Sequence, residues 1–261
     1  MSRNVFEIDP QPLDLRQDRK TWSAVSMLAF ALIVAAGYRL GWLSLYYSGR
    51  IPNLGDAVGW EPLDFWLRTV SGWSKFLAAV GLLTLSREGS RLRRAGLFLI
   101  CTVIDLALWL VDSAPELGLT PEDLPLLAWL VPMDWLRYGI GTAVGWSEFT
   151  LLAGMVAEIG EPYEFPEGPR AADSIRKITA VGMSVWMLFY LVGTRWVGPG
   201  APAPRRLTVE SFLLMQAGRL IWTICLLRLT AAATALMFRI GRVIADRMAQ
   251  ERSSGDDPFD F

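Results

Sequence analysis

The sequence contains no histidine and only two cysteines. Without histidine there is no histidine-held haem, zinc or chlorophyll, and no imidazole general base. Cys101 and Cys225 both stand inside apolar runs, where a cysteine serves as a small buried hydrophobe. Two thiols do not make a thiolate metal centre of the usual kind on their own. The chain also lacks a Walker loop, an HExxH motif, a CxxC motif and an internal repeat. Ser147 and Glu148 adjoin in "GWSEF", but a nucleophile elbow needs a histidine partner and a strand–turn–helix setting. The sequence therefore offers no catalytic residue, no metal ligand set and no cofactor site. A net charge of −1 gives no reason to expect nucleic acid as a partner.

What the sequence has in abundance is apolar length. Hydrophobic residues make up 52% of the 261, with 12 tryptophans among them, and the mean hydropathy is +0.33. A soluble chain reaches only about 45–50% even when glycine is counted. The expected fold is all-α, a polytopic membrane bundle of about six transmembrane helices. The predicted spans are 22–46, 63–85, 95–114, 137–159 and 177–197, with a sixth from about 208. Nothing from 208 to 250 is proline, so the sixth reads as one long helix. Residues 1–20 are polar, mixed in charge and unlike a cleavable signal, and are expected to form a cytoplasmic tail. The membrane domain then covers 21–235. Residues 236–252 read as a basic cytoplasmic helical extension, and 253–261 as an acidic disordered tail. Segment 121–135 is apolar but too short to span, and Pro121, Pro125 and Pro132 interrupt it. It reads either as an interfacial or re-entrant turn or as a plain outer loop.

Arginine and lysine placement sets the expected orientation. The N-terminal tail, segments 86–94 and 160–177, and the C-terminal extension are all rich in cations. Six spans bring all four to one side, so both termini are expected in the cytoplasm, with a bacterial cytoplasmic membrane as the default location. Arg205 and Arg206 are the exception. Trp22 and Trp42 lie about 30 Å apart along a helix, matching the two aromatic belts of a bilayer. Trp73, Trp109, Trp146, Trp186 and Trp222 fall deeper and are expected to be packing residues. The Gly37/Gly41 and Gly141/Gly145 pairs are spaced for close helix contact.

The charges inside the spans are the most specific feature. Lys75 and Arg68 stand seven residues apart in the second span, and Asp105 and Asp112 seven apart in the third. Seven residues is nearly two turns, so each pair shares a face. A short connection makes the two helices antiparallel neighbours. Positions 75 and 105, and positions 68 and 112, are both centred on position 90. Each acid is thus expected level with a base, Asp105 with Lys75 and Asp112 with Arg68. Glu148 and Arg219 reach a similar depth from other helices, and Glu148 is the second candidate partner for Lys75. Arg228, nine residues from Arg219, is expected on the opposite face, snorkelling to headgroups or serving a partner protein. A charge at a helix centre costs about 2.5–3.5 kcal/mol on insertion scales, so the four should face inward and pair.

Two functions fit such a cluster. One is transport or permeation of an ion, a proton or a small solute through Lys75, Asp105, Glu148, Arg219, Arg68 and Asp112. The other is a non-catalytic accessory or assembly subunit of a larger membrane complex, with the buried charges purely structural. Its partners would be membrane lipids and membrane proteins met through the C-terminal helix, with Arg239, Arg242 and Arg247 near anionic headgroups or such a partner. Nothing in the sequence bears on oligomeric state.

Overall fold

The computed structural model describes residues 15–47, 61–85, 89–112, 117–118, 134–194 and 209–255. These form six α-helices and, among the described residues, no strand. They are α1 (Leu15–Tyr47), α2 (Glu61–Leu85), α3 (Gly89–Asp112), α4 (Asp134–Gly160), α5 (Glu167–Thr194) and α6 (Val209–Gly255). The prolines inside helices fall only in first turns, Pro62 of α2 and Pro169 of α5, where no intrahelical bond is lost. Four helices, α1, α3, α4 and α6, are long and apolar enough to cross a membrane, and α2 carries a shorter apolar stretch, Thr69–Leu85. Segment 121–135 lies outside the described residues, except that Asp134 and Trp135 open α4.

The helices form a closed ring in sequence order. Each packs on the next, α6 returns to α1, and α4 also touches α6. Consecutive helices are antiparallel; only residues 86–88 separate α2 from α3 and 161–166 separate α4 from α5, and pairings such as Leu108 with Gly141 and Thr179 with Cys225 carry the alternation further. The basal end of the bundle is where α1 begins and α6 finishes, and the apical end is opposite. The α4–α5 connection at the basal end is tightly built. Glu164 adopts φ +51, its N–H donates to the Glu161 carbonyl at 3.1 Å, and Tyr163 and Phe165 are buried.

The bundle is apolar outside. Phe30, Leu77, Ile100, Met187, Leu220 and Phe238 are each more than half exposed, distributed over five helices. Such a surface is unfavourable in water and favourable against lipid, so it is compatible with an integral membrane protein. The basal half is filled instead by a dry core. Val25, Leu28, Leu82, Phe98, Val156 and Leu229 are at most 2% exposed. Alanines of α1, α2 and α6 let these helices approach closely.

Several helices run beyond their apolar segments. α1 starts at Leu15, seven residues ahead of Trp22, so residues 15–20 are helical. α3 takes in Arg91, Arg93 and Arg94, and α5 begins ten residues before position 177. α6 continues to Gly255, past the point where a disordered tail was expected. The physical reason is shared. Polar residues at the basal end find partners on neighbouring helices, as Arg94 does with Glu158 at 2.6 Å, so the helices extend together.

Two packing expectations fail. Among the described residues a side chain at Gly37 or Gly41 would meet nothing within 4 Å, so this glycine pair makes no close contact with the described helices. Trp73 is 52% exposed on the outer face and is not a core residue. Its neighbour Gly72, buried against Leu106 of α3, takes the inward position instead.

Candidate functional site

Three of the charges meet as expected from helix register, and the contact is wider than a pair. The Lys75 ammonium on α2 lies 2.5 Å from Asp105 Oδ2 on α3 and 3.1 Å from Glu148 Oε2 on α4. An ammonium has three donors, so it serves both carboxylates at once. The two carboxylates differ in setting. The Asp105 side chain is 40% exposed and the Glu148 side chain 9%. Glu148 Oε1 is fully covered, beside the buried hydroxyl of Thr102, which donates to the Phe98 carbonyl at 2.9 Å.

The triad borders a cavity of about 480 Å³ to which all six helices contribute. Its walls run from Leu32 to Arg39 on α1, from Ser71 to Lys75 on α2 and from Asp105 to Trp109 on α3. They continue from Gly141 to Leu152 on α4, through Trp186 on α5, and from Arg219 to Leu226 on α6. These segments occupy the apical half of the bundle. Below Leu152 the dry core closes the space.

Arg219 lines this cavity without sharing the level of the triad. Trp222 packs on Gly145, which fixes the register of the parallel helices α4 and α6 and puts Arg219 level with Thr142. That is six residues, or about 9 Å, nearer the apical end than Glu148. The expectation of four charges at one depth is corrected accordingly. Side-chain packing between helices sets their register, so equal count from a membrane entry is not equal depth. Arg68 and Asp112 have side chains outside the described residues, and their pairing is left there. Arg228 is on the face away from Arg219, as expected, but its guanidinium bonds Ser174 of α5 at 2.5 Å.

Arg39 is a cavity residue that sequence reading misses. It stands one turn from Trp42, where an arginine reads as a headgroup anchor. In the fold its Nε lies 3.4 Å from the Thr223 hydroxyl of α6, and it faces the cavity. Its signal in the sequence is the polar pair Tyr38–Arg39 inside the first apolar run.

Three tryptophans and three glycines hold α4, α5 and α6 in a cycle. A methyl added to Gly145 of α4 would run into the Trp222 ring of α6. One added to Gly182 of α5 would run into Trp146 of α4, and one at Gly218 of α6 would come within 2.8 Å of Trp186 of α5. Each helix thus places an indole on a neighbour's bare backbone. Trp146 and Trp222 also meet edge to face at 4.9 Å, and Phe149 and Trp222 at 4.8 Å. Trp146 is a core residue, as expected. Trp109, Trp186 and Trp222 have a second role, as walls of the cavity.

The serine of "GWSEF" takes no part. Ser147 donates to the Ala143 carbonyl of its own helix at 2.8 Å, one position round the helix from Glu148. At the basal end, two of the three arginines expected near headgroups turn inward. Arg247 bonds Asp18 at 2.6 Å, and Arg239 bonds the Tyr163 carbonyl at 3.1 Å. The site can thus hold charge and hydrogen-bonding groups in a partly enclosed space, with rings beside them. No protein-family model, no curated protein and no solved structure matches this chain.

Proposed function

We propose that this chain is a six-span integral membrane protein of a bacterial cytoplasmic membrane, with both termini cytoplasmic, that passes an ion, a proton or a small solute. The single observation that carries the reading is a charged cavity, lined from all six helices, inside a bundle whose outer face is apolar. A charge triad serving only to fix helix register needs no open volume beside it. Here Asp105, whose side chain is 40% exposed, lines one. Placing the basal end in the cytoplasm follows the cation bias, since Arg16, Arg19, Lys20, Arg93, Arg94 and Arg242 all lie at that end.

The dry basal core means that passage requires the helices to part there. The test is flux into liposomes carrying the purified protein, read with proton- and potassium-sensitive dyes. The expected result is a flux that Lys75→Met lowers at least tenfold and that Arg242→Gln, at the exposed basal surface, leaves unchanged. Absence of flux would return the charges to a structural role and the chain to an accessory or assembly role.

A further inference from the structure

The outer face of α4, turned away from the cavity, carries a basic notch near the basal end. Gly154 lies on this face: Thr150, one turn from it, and Ala143, three turns from it, are exposed on the same stripe. Gly154 itself is buried, because arginines from both neighbouring helices reach over it. A methyl added at Gly154 would lie 2.9 Å from Nη1 of Arg94 on α3 and 3.5 Å from Nη2 of Arg176 on α5. Both nitrogens are thus within 3.5 Å of one point, and less than twice that distance apart. Exposed arginines at a membrane boundary ordinarily extend separately into water. These two converge instead. Arg94 gives one of its five donors to Glu158 at 2.6 Å and keeps the others. Arg176 is exposed, and the nearest acid on its own helix, Asp173, is paired with Lys177 at 2.7 Å.

The depth of the notch says what fits it. Arg94 and Arg176 each immediately precede a predicted span, 95–114 and 177–197, so both stand at headgroup level. Apical to them the same helix faces are apolar. Leu97 follows Arg94 by three residues, Met183 and Met187 follow Arg176 by seven and eleven, and all three are exposed. A free anion has no use for that apolar part. We propose that the notch binds one anionic phospholipid of the basal leaflet. Its phosphate sits on Arg94 and Arg176 over the bare backbone of Gly154, and its acyl chains lie along Leu97, Met183 and Met187. Charge-assisted bonds of about 2.7–2.9 Å reach from one phosphate to both guanidiniums. A zwitterionic headgroup would bring its own cation beside them, so an anionic one is preferred. The site is separate from the cavity and stands whether or not the chain passes a solute.

The experiment is native mass spectrometry of the whole protein in mild detergent. The probes are phosphatidylglycerol and phosphatidylcholine with the same acyl chains, and inorganic phosphate as competitor. One phosphatidylglycerol is expected per chain, held at least fivefold more tightly than phosphatidylcholine. Arg176→Gln should weaken it at least fivefold. Gly154→Leu, which fills the notch and keeps every charge, should do the same. Arg242→Gln removes the same charge elsewhere at the basal end and should leave binding unchanged. Equal retention of the two lipids, or equal losses in Arg176→Gln and Arg242→Gln, would replace the site with a diffuse basic belt and overturn the proposal. Displacement of the lipid by inorganic phosphate would make the notch a free-anion site and overturn it as well. The comparison of lipids on the unmodified protein and the exchange of exposed Arg176 decide the matter even where Gly154→Leu does not fold.

Discussion

Asp18, in the first turn of α1, is fully buried and bonded at 2.6 Å to Arg247, near the end of α6. Its other oxygen accepts the Tyr163 hydroxyl at 2.9 Å, so one carboxylate ties together the start of the chain's first helix, the α4–α5 connection and the end of its last helix. An acid in a helix's first turn also complements the helix dipole. Breaking a fully buried pair costs about 3–5 kcal/mol. Arg247 is 31% exposed, so the loss for Asp18→Asn should be closer to that of one charged hydrogen bond, about 1.5–3 kcal/mol. Amide exchange over residues 243–250 should quicken in Asp18→Asn and in Arg247→Gln. Unchanged exchange in both would mean that α6 is held at this end by its apolar contacts alone.

Lys75 should be the least replaceable member of its triad. Its removal leaves two carboxylates facing each other, so Lys75→Met should destabilise by about 3–5 kcal/mol. Asp105→Asn should cost less than Glu148→Gln, because Asp105 is the more exposed of the two. Adding Glu148→Gln to Lys75→Met should recover part of the loss. The readout is unfolding in mild detergent. A double variant no better than Lys75→Met alone would show that the carboxylates do not repel once the lysine is gone.

The three indole-bearing glycines should resist the smallest substitution. Gly145→Ala and Gly182→Ala each drive a methyl into a ring from a neighbouring helix, which by overpacking costs about 1–3 kcal/mol. Gly37→Ala meets nothing among the described residues and should be neutral or stabilising by about 0.5–1 kcal/mol, since glycine is a poor helix former. Shortening the ring, as in Gly145→Ala with Trp222→Leu, should restore part of the loss. Melting temperatures decide the matter, and equal values for Gly145→Ala and Gly37→Ala would contradict the interlock.

Topology has a direct chemical test. In a background with Cys101 and Cys225 changed to alanine, a cysteine at Ser90 should resist impermeant thiol reagents in intact cells. One at Leu117, exposed and next to Gly118, should react. Leu117 is the better position, because Gly118 has φ +67 and a side chain there would be strained. Reversed labelling would invert the orientation, and labelling of both positions would break the six-span model.

The sequence by itself determined the helical class, the sites of most helices and the Lys75–Asp105 contact. These depend on local quantities. Apolar length, the scarcity of interior proline, a fixed rise per residue and one short connection are enough to level position 75 with position 105. The tertiary structure decided what no local quantity reaches. Glu148, named from its depth as the second candidate partner, joined Asp105 at Lys75 instead of replacing it because α4 closes against α3. Arg39 entered the cavity because α1 meets α6 across nearly the whole length of the chain. The fit of Trp222, Trp146 and Trp186 to Gly145, Gly182 and Gly218 arises from pairings among α4, α5 and α6 that spacing along a single helix does not encode. Helix ends were extended for the same reason: Asp18 and Arg247 are polar in sequence and read as tail and extension, and only their meeting across the bundle makes both of them part of one folded end.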